Sequence, residues 1–424
     1  MRTPAPSCAP RRRPLAGLAC GLAFVLALAV PAPAQQAAPS GVAAEWERAV
    51  GLVQSGAPEQ AIPILERLVT ALPDAAPVRL ELGLAYFLTR DDGKARHHIT
   101  GALAGELGET ERAGAERLLR EIAARRRWSA GFSVSLVPQS NAGRRTSDAF
   151  ITLPGLPFPF ILNQTAESGT GLAFAGRFGF SPILGTPAEG RTLRGQFALA
   201  LNGTVYEESS LNDITLRGEA GLVREQNGRA GGLPHSFGGG LVAAQRWVGG
   251  ARYTHEAGVW TTLSLQPADT LRLSGRLEAV ERRAPGRPGL DARILRMTLG
   301  ADRVLTPRLA VHGRGFVTVT DARAAHEGGR LVGLTLGVRH LFDGGWLGSL
   351  EATVSRDRRD GMQPLFLVSR RDTDLRLAAR LLNRQLQMAG FAPVLEIGHE
   401  RRHSNVPIAA FRNSYVSVGL DRAF

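Results

Sequence analysis

The sequence predicts an N-terminal α-helical domain followed by a C-terminal transmembrane antiparallel β-barrel of about 14 strands. Three observations lead to this prediction. Apolar residues recur at helical spacing over residues 41–127, and they alternate with small or polar residues over residues 128–424. An export signal precedes both regions. The signal predicts a route to the bacterial envelope, and the alternation predicts membrane-crossing strands.

Residues 1–34 have the features of a cleavable secretory signal peptide. Arginines begin the segment, residues 15–30 form an apolar run, and Ala32–Ala34 is a small-x-small cleavage pattern. Both cysteines, Cys8 and Cys20, lie inside this segment. The predicted mature chain therefore has no disulfide, no thiolate metal site and no cysteine nucleophile.

The chain is strongly basic, with a formal net charge of +13. Its basic residues are nearly all arginine and are spread along the sequence without forming a block. A nucleic-acid partner is therefore not predicted, because such proteins concentrate their positive charge on one surface. After residue 34 no apolar run reaches the length of about 18 residues typical of a transmembrane helix.

The helical region contains a repeat with the period of a tetratricopeptide repeat, about 34 residues. At that offset large and small apolar residues align, and Leu82-Gly83 takes the position of the Leu-Gly pair of that motif. The predicted packing residues are Leu52, Ala61, Leu65, Leu82, Gly83, Tyr86, Ala95 and Ile99. About two repeats are predicted, followed by a charged amphipathic helix. Two interpretations remain open, a docking module for a periplasmic peptide or protein and a structural spacer below the barrel.

The strand region divides into fourteen alternating segments. They begin near residues 128, 171, 191, 211, 235, 251, 269, 290, 308, 330, 346, 372, 391 and 412. Short connections alternate with mostly longer ones, which is the usual asymmetry between the periplasmic turns and the outer loops of outer-membrane barrels. An even number of strands places both ends of the barrel on one side, where the helical domain must also lie. We therefore expect an outer-membrane location with the helical domain in the periplasm.

The last predicted strand ends in an aromatic residue. Val416, Val418, Leu420 and Phe424 share one face of this strand. A C-terminal aromatic of this kind looks like the signal by which barrels are recognised for assembly. The barrel assembly machinery and outer-membrane lipid are thus predicted partners.

Several short motifs resemble those of the surface lipoprotein assembly modulator family. In chain order they are Pro138–Asn141, Ser369–Asp372, Gly390–Pro393, His399, His403–Asn405 and Val416–Phe424. The resemblance covers roughly residues 45–424. It implies a non-catalytic translocator that moves lipoproteins or related exported proteins from the periplasm to the cell surface.

The polar residues of these motifs are the candidate functional site. They are Asn141, Arg370, Arg371, Asp372, His403, Ser404 and Asn405. Substrate contact is one interpretation, and organisation of the outer loops is the other. We favour loop organisation, because Asn and Ser readily satisfy backbone groups in turns and Arg–Asp pairs fix loops. The apolar, proline-rich segment 153–162 is interpreted as a lumen plug, a substrate contact or an ordinary packed loop.

Two further functions remain as alternatives, a passive channel or porin and a polysaccharide exporter. A passive channel has no need of a repeat domain, and polysaccharide exporters of this architecture usually have many more repeats. We do not predict an enzyme, because Gly-x-Ser-x-Gly and phosphate-binding Gly-x-x-x-x-Gly-Lys-Ser/Thr motifs are absent. No cofactor or metal site is predicted.

Overall fold

The computed structural model describes residues 40–125, 127–185, 191–226, 233–383, 385–386 and 390–423. The predicted signal peptide and Phe424 lie outside these residues. Residues 41–424 belong to a single compact unit.

Five helices open the described chain. They are α1 (Ser40–Gln54), α2 (Pro58–Ala71), α3 (Ala76–Leu88), α4 (Asp92–Leu103) and α5 (Glu109–Arg125). Pro58 begins α2, where the missing N–H of proline costs nothing. The Asp91 side chain caps α4 by accepting the N–H of Lys94 at 3.1 Å. Among the described residues, no helix is long and apolar enough to cross a membrane.

The predicted repeat residues lie in or against the core of the helical region. Ala61, Leu65, Leu82, Ala95 and Ile99 are fully buried. Tyr86 is also buried, and Leu52 packs against the same core. A Cβ added to Gly83 would lie 2.5 Å from Cγ1 of Ile99, so glycine permits the close approach of α3 and α4.

The described residues that follow form sixteen strands. They are β1 (Trp128–Gln139), β2 (Phe150–Thr152), β3 (Pro159–Ile161), β4 (Gly169–Phe180), β5 (Arg191–Tyr206), β6 (Asp213–Gln226), β7 (His235–Val248), β8 (Ala251–Ala268), β9 (Leu271–Arg283), β10 (Ala292–Thr306), β11 (Leu309–Ala322), β12 (Gly329–Leu341), β13 (Trp346–Met362), β14 (Ser369–Asn383), β15 (Ala392–Ser404) and β16 (Phe411–Ala423).

Fourteen of these strands form one closed antiparallel barrel in which β1 pairs with both β4 and β16. The predicted barrel of about 14 strands is confirmed. The largest difference between a predicted and an observed strand start is at β14, predicted from 372 and observed from 369. Strands β2 and β3 form a separate hairpin within the first loop.

The two faces of the barrel wall differ in chemistry. Arg217 on β6 forms an ion pair with Glu278 on β9, and Arg296 on β10 does so with Glu256 on β8. Such pairs bridge strands that are not neighbours, so they mark the concave, inner face. The alternate residues are apolar and exposed on the outer face, as Leu241 and Val418 are. This is the pattern of a membrane barrel.

The two ends of the barrel also differ. We call the end that carries the helices and both barrel termini the helix-side end, and the opposite one the loop-side end. The loop-side connections are residues 140–168, 207–212, 249–250, 284–291, 323–328, 363–368 and 405–410. The first of them is by far the longest, and it contains the β2–β3 hairpin.

Candidate functional site

The predicted site residues come together at the loop-side end of four neighbouring strands. The ends of β1, β16, β15 and β14 follow one another around the barrel. Asn141 lies directly after β1, and Ser404 ends β15 just before Asn405. Antiparallel pairing therefore gathers motifs that are far apart in the sequence onto one part of the rim.

Asn141 and Asn413 close the seam between the first and last strands of the barrel. Asn413 is fully buried, and its Oδ1 accepts the N–H of Asn141 at 3.1 Å. The Asn141 side chain donates to the carbonyls of Arg145 and Arg412 and accepts the Arg145 N–H. Asn413 also donates to the Gln139 side chain at 2.8 Å. These amides satisfy backbone groups where the ladder ends and fix the start of the first loop.

The first loop is also attached to the inner wall. Arg144 reaches from this loop to Glu400, an inward-facing residue of β15, with Nε 2.8 Å from Oε2. Arg144 has a positive φ of 48°. Such a conformation is uncommon for a residue other than glycine, and the surrounding contacts must maintain it. The loop therefore begins at the inner edge of the rim.

Arg370 and Asp372 form the predicted arginine–aspartate pair on the inner wall. Nη2 of Arg370 lies 2.6 Å from Oδ2 of Asp372, whose side chain is only 1% exposed. Arg402 lies 3.5 Å from the same carboxylate and 2.7 Å from Asp374. We call Arg370, Asp372, Asp374 and Arg402 the Asp372 network. It joins β14 to β15 by charge-assisted hydrogen bonds.

Arg371 does not join this network, because alternate residues of a strand face opposite sides. Its side chain is exposed on the outer face. Its backbone N–H donates to Oδ1 of Asn405 at 2.7 Å, and the Asn405 amide donates to the Ser369 carbonyl at 2.9 Å. Ser404 accepts the N–H of Val406 through its hydroxyl. Asn405 and Ser404 thus organise the loop, while His403 is exposed on the outer face.

Three loop-side connections share a small hydrophobic core, which we call the loop core. Ile151 of the first loop, Phe366 of loop 363–368 and Val406 of loop 405–410 are buried together. Leu153, Phe160 and Leu162, all from the proline-rich segment, pack against them. These three residues of the segment are packed as in an ordinary loop. Its other apolar side chains, including Phe158 and Ile161, are exposed.

A second charged network lies on the inner wall formed by β6 to β10. Glu278 is buried and forms ion pairs with Arg217, Arg276 and Arg296. Arg217 and Arg276 also pair with Glu219, and Arg296 also pairs with Glu256. We call these six residues the Glu278 network. The predicted alternation gives these strands a polar face, but no sequence motif indicates the cluster, because its contacts depend on the curvature of the barrel.

The helices contact the barrel at its helix-side turns. The buried Arg79 donates to the Pro73 carbonyl at 2.9 Å and to the Pro307 carbonyl at 3.3 Å. Burial, together with repulsion from Arg308, lowers the pKa of Arg79 from its ordinary value. Arg308 lies 3.5 Å from Asp74. Arg79 therefore joins α3 to the β10–β11 turn, a role that no sequence motif indicated.

A second contact joins α5 to the β8–β9 turn. Arg112 lies 3.6 Å from Asp269, and both side chains are 37% exposed. Arg112 also donates to the Leu103 carbonyl. The helices thus attach to turns on one side of the barrel end.

The family model described as surface lipoprotein assembly modifier matches residues 192–424. This match covers more than half of the chain and most of the barrel. The chain belongs to this family. The predicted resemblance is therefore confirmed, and the family associates the chain with the assembly of lipoproteins at the cell surface.

Solved structures with some similarity include three outer-membrane proteins. The outer membrane channel DcaP of Acinetobacter baumannii is 8% identical with a TM-score of 0.39, covering 70% of this chain and 96% of that chain. An anion-selective porin from Comamonas acidovorans is 12% identical with a TM-score of 0.34, covering 70% and 98%. Acinetobacter baumannii OccAB4 is 9% identical with a TM-score of 0.33, covering 70% and 99%.

Similarity at these TM-scores carries no functional argument. No curated protein sequence matches the chain significantly. The family match and the closed barrel with an apolar outer face place the chain in the outer membrane.

Proposed function

We propose that the chain is a non-catalytic translocator that delivers lipoproteins or related exported proteins to the cell surface. The observation that carries the proposal is the family match over residues 192–424. Two features of the fold support it. Helices contact one end of the barrel, and a discrete loop core lies at the other end. A substrate is held near the helices, moves through or along the barrel and emerges among the loops.

The orientation of the barrel follows from this function. The helix-side end faces the periplasm, so the helical domain meets the substrate before the barrel does. The loop-side end faces the cell exterior. Residues 1–34 supply the export signal, and the barrel assembly machinery recognises the last strand through Val416, Val418, Leu420 and Phe424. The first three of these side chains are exposed on the outer face.

The roles of the candidate residues follow the contacts already described. Asn141, Ser404 and Asn405 organise the loops, and Arg370 with Asp372 joins the end of β14 to β15 through Arg402. The helical domain acts as the docking module. Its helices α3 and α5 are joined to the barrel through Arg79 and Arg112, so a docked substrate lies beside the periplasmic mouth.

Protease accessibility in intact cells tests the proposal. Lipoproteins encoded beside this chain are followed in cells with and without it, and a periplasmic marker controls for membrane integrity. We expect surface exposure to be lost and the lipoprotein to accumulate in the periplasm when the chain is absent. Unchanged exposure of every candidate would contradict the proposal.

Cysteine labelling tests the orientation separately. The only natural cysteines are Cys8 and Cys20, both in the predicted signal, so a single introduced cysteine is the only thiol of the mature chain. Leu156 is exposed in the first loop and Glu59 is exposed on α2. We expect a membrane-impermeant maleimide to label Leu156→Cys in intact cells but Glu59→Cys only after permeabilisation. The opposite pattern would reverse the orientation.

A passive channel or porin is the alternative that conductance distinguishes. A stable, wide and ungated pore of the full-length protein in planar bilayers would favour the porin function. A polysaccharide exporter is distinguished by the cell assay, since its loss would leave lipoprotein exposure unchanged.

A further inference from the structure

The outer face of the loop-side rim carries a continuous group of arginines on β12 to β16. They are Arg330, Arg356, Arg358, Arg371, Arg401 and Arg412, which we call the arginine patch. All six are exposed and face away from the barrel interior. Among the described residues, none of the six forms an ion pair. Asp321 and Asp360 border the patch on the same face and do not pair with it.

The register places like charges directly opposite each other. Arg330 pairs with Arg358, and Arg358 pairs with Arg371 on the next strand. Arg401 pairs in the same way with Arg412. Neighbouring strands are about 4.8 Å apart, so the first three arginines form a row about 10 Å long. Like charges directly opposite one another destabilise a sheet. Repulsion within the patch therefore lowers the stability of the isolated barrel. A negatively charged ligand bound there would relieve this repulsion.

The patch is continuous with the membrane-facing surface. Val332 lies two residues from Arg330, and Val354 lies two residues from Arg356, on the same outer face. On a strand this separation is about 6.6 Å. The arginines therefore stand at the edge of the apolar band, at the level where lipid headgroups begin.

The neighbouring part of the same rim has balanced charge. On the outer face of β9 to β11, Arg293 lies between Glu281 and Asp321 in the strand register. Arg283 forms ion pairs with Glu281 and Asp291. The rim of β9–β11 therefore has balanced charge, in contrast to the rim of β12–β16.

We propose that the arginine patch binds the phosphate groups of lipid headgroups in the outer leaflet of the outer membrane. Guanidinium groups bind phosphate through paired hydrogen bonds, and a row of them matches a headgroup that bears more than one phosphate. The ligand class is a phosphorylated glycolipid whose acyl chains lie along the apolar band below. The inference rests on the orientation proposed above, which places this rim at the outer leaflet. Binding fixes β12–β16 in the leaflet beside the loop core.

The test measures binding of fluorescent bisphosphorylated lipid A to the full-length protein in zwitterionic detergent micelles. The variant combines Arg330→Gln, Arg358→Gln and Arg371→Gln. Each basic residue beside an anionic surface contributes roughly fivefold in affinity, so we expect the dissociation constant to rise about a hundredfold. The matched control is Arg303→Gln, an exposed outward arginine at the helix-side end that lies between Val311 and Leu271 in the register. It should bind like the parent protein.

Two competitors identify the ligand source. Dephosphorylated lipid A should compete poorly, since it keeps the acyl chains but lacks the phosphates. Inorganic phosphate should also compete poorly, since it lacks the chains. Equal competition by either would overturn the proposal, and so would a change of less than about threefold in the folded triple variant.

Folding of the variants is measured separately from lipid binding, and neither measurement depends on export. Heat-modifiable migration on gels reports whether the triple variant forms its barrel, and Arg371→Gln alone provides a milder variant with an expected fivefold loss. Binding in micelles does not depend on export. A failure to bind lipid would therefore overturn this inference and leave the proposed translocator function standing.

Discussion

The inner wall of the barrel and the outer face of its loop-side rim are both rich in arginine, but they differ in how that charge is balanced. On the inner wall, Arg370 pairs with the buried Asp372, and Arg276 pairs with the buried Glu278. On the outer rim, Arg358 lies between two further arginines. Arg370 and Arg276 are thus neutralised within the chain, whereas among the described residues no carboxylate pairs with Arg358.

The adjacent residues Arg370 and Arg371 show this difference between the inner and the outer face. They are adjacent in the sequence, but alternation along β14 sends the first inward and the second toward lipid. The same residue type therefore stabilises the barrel at one position and offers a binding group at the next. The comparison predicts that substitutions on the inner wall destabilise the barrel, whereas those on the outer rim leave its stability nearly unchanged.

Removing a buried inner carboxylate should have the largest effect. Asp372→Asn takes one negative charge from a carboxylate that is 1% exposed and leaves Arg370 and Arg402 without full compensation. Breaking a buried ion pair typically costs about 3 kcal/mol, and we expect a loss of that size in the free energy of unfolding. Urea titration of the full-length protein in lipid vesicles measures it. A loss below about 1 kcal/mol would show that the inner network does not stabilise the barrel.

Truncation of the seam amide should have the next largest effect. Asn141→Ala removes a buried amide and its hydrogen bonds to the backbone of Arg145 and Arg412, and leaves those partly buried groups without this partner. We expect a loss of about 2 kcal/mol in the free energy of unfolding, with faster proteolysis of the first loop. Asn405→Ala is the matched control, since it also removes an amide that bonds to backbone groups but at an exposed position. Equal losses in the two variants would contradict the role of burial.

The contact between α5 and the barrel should matter less. Arg112→Ala removes an ion pair whose two side chains are each 37% exposed. Solvent screens such a pair, so the expected loss is about 0.5 kcal/mol and should disappear at high salt. The measurement is the thermal unfolding of the helices followed by far-UV circular dichroism at low and high ionic strength. A larger loss that persists in high salt would show that packing, not charge, joins α5 to the turn.

Substitution on the outer rim should have the smallest effect on stability. Arg371→Ala removes an exposed side chain that lies opposite Arg358, so relief of repulsion offsets any lost contact. We expect the free energy of unfolding to stay within about 0.5 kcal/mol of the parent value. The same urea titration in vesicles of zwitterionic lipid checks this. A clear destabilisation there would mean that Arg371 has a partner within the protein.

Much of the fold could be predicted because the membrane imposes one strict rule on every strand. Period-two alternation identified all fourteen barrel strands, and β5, for example, begins at residue 191 as predicted. The β2–β3 hairpin was not predicted, because three-residue strands are too short to show a period. Arg79 was not predicted to be buried, because one of its two carbonyl partners, that of Pro307, becomes available only when the helices meet the barrel.

The candidate site was predictable only in part. The motifs identified Asn141 and Asp372. The residues that surround these two are determined by the pairing of the barrel strands. Asn413, the buried partner of Asn141, was missed because it lies between Arg412 and Ser414 and reads as an ordinary polar strand residue. The arginine patch was missed for a similar reason, since like charges on neighbouring strands become adjacent only through pairing.

Reconstitution tests the central claim, that this chain moves a lipoprotein across a membrane. The full-length protein is inserted into liposomes, a lipoprotein encoded beside it is presented in soluble form at the helix-side face, and protease is added on that same side. We expect the lipoprotein to become protected in liposomes that contain the folded, heat-modifiable barrel and to remain digested in empty liposomes. Complete digestion in both, with the barrel folded and correctly oriented, would contradict the translocator function.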